Sequence, residues 1–147
     1  MNKEKFTFES KSAEATIAFG KQIAARLKPN DVLALYGDLA SGKTTFVKGV
    51  NLFYHADQTA TSPTFTLINE YRGDIPIFHI DCYRLRHPDE IIMLGFEDYL
   101  NAGGVVLIEW PERIEAHIPP ELYGAPYETY RKAQEADRCV YTGKTEC

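Results

Sequence analysis

The segment Gly37–Thr44 places the strongest constraint on how this chain of 147 residues folds. It reads Gly-Asp-Leu-Ala-Ser-Gly-Lys-Thr and matches the spacing G-x-x-x-x-G-K-[ST]. A nearly all-apolar run, Asp31–Tyr36, precedes it, and a helical pattern, Thr44–Tyr54, follows it. Strand, glycine loop and helix in this order form the context in which the motif binds phosphate, whereas a chance glycine-rich turn lacks that context. The segment therefore predicts a phosphate-binding loop between a buried strand and a helix.

Each part of this loop has a physical role. Gly37 and Gly42 allow the backbone to fold around an anion without a side-chain clash, so that successive N–H groups point inward. The following helix adds the positive end of its dipole at the same place. Lys43 would place a point charge on the β- and γ-phosphates, and the Thr44 hydroxyl is suited to holding Mg²⁺. The residues expected to bind the nucleotide here are Gly37, Asp38, Leu39, Ala40, Ser41, Gly42, Lys43, Thr44 and Thr45.

Two acidic residues elsewhere in the chain each stand at the end of a strand-like segment. Glu109 ends the run Val105–Glu109, and Asp81 ends the run Ile77–Asp81. A phosphate loop of this kind needs a carboxylate at the end of a neighbouring strand, to complete the Mg²⁺ shell or to orient water. Glu109 is favoured for the metal and Asp81 for positioning water or metal-bound water, and the residues alone leave the reverse assignment open. The competing interpretation of each is a strand-end acid that caps the next turn.

Four nearby features each have a functional and a structural interpretation. Thr61–Phe65 is either a mobile loop that contacts the γ-phosphate or an ordinary loop rich in serine and threonine. His79 alternates with Asp81 and should face the same side, although a lone histidine in a strand is more often structural. Arg84 is either a transition-state arginine or a solvated one. Trp110 is either half-buried packing or a contact for a partner protein.

The order of the predicted elements favours an α/β fold. Apolar runs such as those at Asp31–Tyr36 and Gly104–Glu109 are typical of strands with both faces covered. We expect a single domain over residues 1–147, with a three-layer, P-loop NTPase-like fold and a mixed, partly parallel central sheet. Further strands are predicted at 5–9, 65–71, 75–81 and 138–142. Further helices are predicted after Ser12 and from Pro88 to a stop at Gly95.

Composition excludes several classes of function. Sixteen Lys and Arg against 21 Asp and Glu give a net charge of −5, and no basic stripe is visible, so tight direct binding of nucleic acid is not predicted. Three distant cysteines and scattered histidines support neither a zinc site nor a disulfide framework. The apolar runs are too short to cross a bilayer, and the charged start does not resemble a secretory signal, so a cytoplasmic location without membrane contact is expected.

Absent motifs narrow the nucleotide-dependent activities. The guanine-reading N-K-x-D pattern and the D-x-x-G switch of GTPases do not occur, and no segment concentrates arginines into a kinase lid. A small ATPase remains the favoured activity. A small-molecule kinase and a nucleotide-sensing binding module that hardly hydrolyses are the alternatives.

Four blocks of sequence, taken together, resemble the TsaE (YjeE) family of bacterial P-loop ATPases. Their order and spacing match the family pattern, and the similarity extends from about Ser12 through Arg113, with a weaker match at Arg138–Val140. In the loop, Ala40 stands where the family usually has glycine. The blocks are Gly37–Thr45, Thr61–Thr66, His79–Arg84 and Ile108–Pro111.

This resemblance implies a weak, Mg²⁺-dependent ATPase that is stimulated by the TsaB–TsaD heterodimer. The family acts as an accessory subunit in forming threonylcarbamoyladenosine at position 37 of tRNA, and it meets tRNA only indirectly, through that complex. By motif, Lys43 would hold phosphates and assist catalysis. Thr44 and Glu109 would ligate Mg²⁺, and Asp81 and Glu109 would act together in catalysis. The resemblance also implies that Thr61–Thr64 is a switch, that Trp110 lies beside the partner-sensitive site, and that Arg138 lies near the nucleotide.

Overall fold

The computed structural model describes residues 2–9, 12–36, 43–58, 67–117 and 138–145, and within them the chain forms one six-stranded sheet. The strands are β1 (Asn2–Glu9), β2 (Val32–Tyr36), β3 (Ile68–Arg72), β4 (Pro76–Asp81), β5 (Val105–Glu109) and β6 (Arg138–Thr145). The α-helices are α1 (Ala13–Ala24), α2 (Lys43–Phe53), α3 (Glu90–Met93) and α4 (Phe96–Leu100), and two 3₁₀ helices span Cys82–Arg84 and Pro111–His117.

The sheet is mixed, in the order β1-β6-β2-β5-β4-β3. The neighbouring strands β2, β5 and β4 are mutually parallel, whereas β1–β6, β6–β2 and β3–β4 pair antiparallel. All five residues of β5 are buried, as the apolar run predicts for a strand covered on both faces. The prediction of an α/β fold with a mixed, partly parallel central sheet is confirmed.

Helices cover both faces of the parallel strands and produce three layers. Alternate residues of β2, β4 and β5 point to opposite faces, because the side-chain period of a strand is two. One set packs under α1 and α2, and the other packs against α3, α4 and the second 3₁₀ helix. The first core includes Leu33, Leu35, Phe46, Val50, Ile77 and Leu107; the second includes Val32, Phe78, Ile80, Ile91, Phe96 and Ile108.

Helices α1 and α2 approach each other closely at two glycines. A methyl group on Gly20 would meet the backbone of Phe46 in α2, and one on Gly49 would meet the backbone of Ile17 in α1. Beyond the end of α2, the Tyr54 hydroxyl donates to the Ala24 carbonyl at the end of α1, over 3.0 Å. The two helices therefore form one tightly packed layer, which fixes where the first turn of α2 lies over the sheet.

The chain between β4 and β5 differs in detail from the expected single helix. Gly95 adopts φ 76° and separates α3 from α4, which was not predicted from the sequence. Its left-handed conformation ends one helix, as expected, and redirects the chain into the next. Among the described residues, no helix is both long and apolar enough to cross a membrane.

The close helix contact makes a testable prediction for Gly49→Ala. In an open helix this change stabilises by up to about 1 kcal/mol, because alanine has the higher helix propensity. Here the added methyl group must push α1 away, so we expect the free energy of unfolding to fall by about 1–3 kcal/mol. Urea denaturation measures the difference. The control Gln22→Ala, at an exposed position of α1, should change stability by less than about 0.5 kcal/mol. A Gly49→Ala protein of unchanged or higher stability would contradict the packing argument.

Candidate active site

The predicted phosphate-loop residues fall partly outside the described structure. Gly37, Asp38, Leu39, Ala40, Ser41 and Gly42 lie outside the described residues, as do Thr61–Thr66. Lys43 is the first residue of α2, and Thr44 and Thr45 follow in its first turn. The helix thus begins directly after the predicted loop, and the strand before that loop, β2, ends at Tyr36.

The parallel register brings both predicted carboxylates to the edge where β2 ends. Glu109 lies opposite Leu35 of β2 on one side and opposite Asp81 of β4 on the other. Three strands therefore end in one row, with the two acids in adjacent positions on the same face of the sheet. Ligands of open α/β sheets bind at this carboxyl edge.

Arg138 also belongs to this edge by register. It begins β6, which runs antiparallel beside β2, and Val140 of β6 lies opposite Tyr36 at the end of β2. Because the two strands are antiparallel, Arg138 lies two residues past the end of β2, on the side where the chain enters the predicted loop. Its position in the fold agrees with the expectation that it lies near a nucleotide, and its role stays a prediction.

Glu109 is a buried carboxylate with a histidine beside it. Its Oε2 lies 3.4 Å from Nε2 of His79, and the two side chains are 6% and 8% exposed. Oε1 of Glu109 has no hydrogen-bond partner among the described residues. Tyr71 stacks on the imidazole, with 6.5 Å between ring centroids and 25° between planes. Burial, and then the charge of Glu109, raise the pKa of the Tyr71 hydroxyl above its ordinary value of 10.0.

Asp81 is half-buried and caps the turn that follows it. Its Oδ1 accepts a hydrogen bond of 3.0 Å from the Tyr83 N–H, which begins the 3₁₀ helix Cys82–Arg84. The capping interpretation is correct for this oxygen. The same hydrogen bond fixes the carboxylate at the sheet edge next to Glu109, so capping and a catalytic role are compatible.

Two aromatic rings and an arginine contact one another next to the two acids in the chain. Trp110 follows Glu109 directly in the left-handed region, with φ 57°, and its ring lies 5.1 Å from that of Tyr83. The guanidinium of Arg113 lies 5.7 Å from the Tyr83 ring centroid and donates to the Leu85 carbonyl over 3.3 Å. Trp110 is half-buried and Tyr83 is exposed. The contact between Tyr83 and Arg113 was not predicted from the sequence, because it joins segments far apart in the chain.

A cavity of about 320 Å³ opens between α2 and the β3–β4 hairpin. It lies on the same face of the sheet as the two acids, beside the first turn of α2. Its polar lining places hydroxyl, amide and imidazole groups next to the predicted phosphate site. The lining residues are Thr44, Thr45, Val47, Lys48, Asn51, Gln58, Tyr71 and His79.

Cys82 directly follows Asp81 and is not placed to serve as a nucleophile. It is fully buried in the opposite core, and burial raises the pKa of its thiol far above the ordinary value. A thiol that stays protonated is a poor nucleophile. The oxygens that the described residues offer at this edge include those of Asp81, Glu109 and the first-turn threonines.

The fold and this edge define an α/β protein of the P-loop NTPase class, and comparison with known proteins identifies the family. Residues 10–139 match the family model for threonylcarbamoyl adenosine biosynthesis protein TsaE. The chain belongs to the TsaE family. The crystal structure of Bacillus subtilis YdiB superposes with a TM-score of 0.66 and 32% identity, covering 99% of this chain and 88% of that one.

Relatives named tRNA threonylcarbamoyladenosine biosynthesis protein TsaE align over most of the chain. The Bacillus subtilis protein is 46% identical over 109 residues, which cover 74% of this chain and 68% of the relative. The Rickettsia conorii protein is 43% identical, over 76% of this chain and 64% of the relative, just under two thirds of its length. The Treponema pallidum protein is 38% identical, over 75% and 82% respectively.

Because Glu109 is buried, we predict that its charge serves function and adds little to the free energy of unfolding. Glu109→Gln keeps the shape of the side chain and removes a buried charge, so we expect the free energy of unfolding to stay within about 0.5 kcal/mol of the wild type or to rise. Asp31→Ala is the matched control, because Asp31 is also buried and its Oδ2 accepts the Lys28 N–H over 2.8 Å. That control should lose about 1–3 kcal/mol in the same urea titration. A large loss in Glu109→Gln would mean that the carboxylate holds the fold.

Proposed function

We propose that this chain is a weak, Mg²⁺-dependent ATPase that acts with a TsaB–TsaD heterodimer in forming threonylcarbamoyladenosine at position 37 of tRNA. The observation that supports it most is the row formed by Leu35, Glu109 and Asp81, which sets two carboxylates beside the start of α2. Membership of the TsaE family supports a role in threonylcarbamoyladenosine biosynthesis. A cytoplasmic location and a single domain over residues 1–147 belong to the same proposal.

The residues at the sheet edge fit a magnesium ion. Mg²⁺ prefers oxygen ligands and is usually held by one or two carboxylates, substrate phosphates and water. Glu109 offers Oε1, a buried oxygen without a hydrogen-bond partner among the described residues, and Thr44 offers a hydroxyl in the first turn of α2. We therefore assign Thr44 and Glu109 to the metal. Bound there, the ion would neutralise charge on the β- and γ-phosphates.

Asp81 is assigned to the attacking water. Its carboxylate accepts a hydrogen bond from the Tyr83 N–H and lies one strand away from Glu109, a position from which it could orient a water molecule beside the metal ligand. Lys43 and the amides of Gly37–Gly42 would hold the phosphates, as the motif predicts. Positioning and charge neutralisation, with no covalent intermediate, are the chemistry that phosphoryl transfer to water requires.

The proposal explains weak intrinsic hydrolysis. An arginine that neutralises charge in the transition state is worth about 10³–10⁵ in rate. Arg113 already donates to Leu85 and lies over Tyr83, and Arg84 is exposed to solvent. The TsaB–TsaD pair is therefore expected to supply or organise the missing group. Contact with tRNA only through that pair agrees with a net charge of −5.

Phosphate release from Mg·ATP, with and without a purified TsaB–TsaD pair, tests the function. We expect slow release from the chain alone and a strong rise with the pair. Glu109→Gln and Asp81→Asn should each lower the stimulated rate by about 10²–10³, the usual effect of losing one electrostatic contact to a transition state. Lys43→Ala serves as the blank, because it removes the charge that holds the phosphates.

The same measurement separates the competing functions. Tight ATP binding with no response to the pair would contradict the tRNA-modification assignment and favour a small-molecule kinase, for which an acceptor hydroxyl would suppress phosphate release. Full pathway function in Glu109→Gln, together with its loss in Lys43→Ala, would favour a nucleotide-sensing module that works without hydrolysis.

A further inference from the structure

His79 is a buried polar side chain that the proposed chemistry leaves without a role. It is 6% exposed, and neither ring nitrogen has a hydrogen-bond partner among the described residues. Burying a polar group without a compensating hydrogen bond costs free energy, so a histidine in this position destabilises the fold. An apolar residue would pack there at lower cost, which indicates that the imidazole is retained for another reason.

The surroundings of His79 restrict where its ring can point. Tyr71 stacks on one face of the imidazole, at 6.5 Å and 25°, and this contact fixes the ring plane. Nε2 lies 3.4 Å from Oε2 of Glu109, without the alignment of a hydrogen bond. Contacts between catalytic groups are often poorly aligned before the ligand binds and tighten when it does.

We propose that His79 is a positioning residue for Glu109: Nε2 holds Oε2 in place, so that Oε1 is the oxygen presented to Mg²⁺. This inference rests on the proposed function, because it concerns the same metal ligand. A ligating carboxylate is itself oriented by an outer partner, and loss of such a partner typically weakens metal affinity or activity by about 10–100-fold. The two oxygens of Glu109 differ as this role requires, one facing the imidazole and the other without a partner among the described residues.

The test measures how strongly Mg²⁺ and nucleotide bind together, without any turnover. The full chain is titrated with a fluorescent, non-hydrolysable ATP analogue, once in EDTA and once at saturating Mg²⁺. The dissociation constant in EDTA divided by that at saturating Mg²⁺ gives the contribution of the metal to nucleotide binding. His79→Phe keeps a ring against Tyr71 and removes the N–H donor, so we expect the ratio to fall about 10–100-fold while the affinity in EDTA is unchanged.

Two further variants separate positioning from packing. His79→Gln restores an N–H donor and should recover most of the ratio, which a purely structural role would not produce. Val105→Ala removes buried surface from the same face at the far end of β5, and should lower stability without changing the ratio. His79→Leu replaces His79→Phe in the test if the larger ring prevents folding.

The outcomes distinguish this inference from the function on which it rests. Mg²⁺-enhanced binding in the wild type, with an unchanged ratio in His79→Phe, overturns the positioning role alone. The positioning role is also overturned if the ratio in His79→Gln is as low as in His79→Phe, or if the ratio falls equally in Val105→Ala. A wild-type chain that binds no nucleotide, or binds it equally with and without Mg²⁺, overturns the proposed function and the positioning role together.

Discussion

The parallel pairing of β2, β5 and β4 is the constraint on which the rest of the site depends. The chain passes from β2 through α2 and the β3–β4 hairpin, and then returns through α3 and α4 to place β5 between β2 and β4. Parallel neighbours require such crossovers, and their carboxyl ends then meet at one edge. Because the register aligns Leu35, Glu109 and Asp81, residues from three separate segments share one row.

The helix layer fixes the other half of the site. Gly20 and Gly49 allow α1 and α2 to touch along their backbones, and Tyr54 ties the residue after α2 to the end of α1. Burial and the nearby charge of Asp31 raise the pKa of Tyr54 to about 12, so its hydroxyl keeps the proton that it donates. The first turn of α2 is thereby held rigidly over strands that carry the acids. Sites on rigid elements keep their geometry more accurately than sites on loops.

Local patterns in the sequence predicted the elements and the acids, because those depend on neighbouring residues. The buried runs at β2 and β5, the helix after the glycine loop, and the shared face of His79 and Asp81 follow from periodicity. Strand order does not, since nothing local indicates that β6 inserts between β1 and β2. The contact between His79 and Glu109 was missed for the same reason: it depends on register across two strands. The roles of all the candidate site residues stay predictions: Gly37–Thr45, Thr61–Thr64, Asp81, Glu109 and Arg138.

The distribution of charge at the carboxyl edge of the sheet supports the proposal of a partner-dependent ATPase. Glu109 and Asp81 place negative oxygens where a cation and a water are to be held, and His79 and the Tyr83 N–H sit behind them. In the proposed function these groups would help to hold Mg·ATP, whereas carboxylates cannot offset the charge that spreads over the phosphoryl oxygens during transfer. In the described part of the chain, Arg113 donates to the Leu85 carbonyl and lies over the Tyr83 ring. Under the proposed function, a partner would bring or organise the cations that the transition state requires, and hydrolysis would then follow assembly.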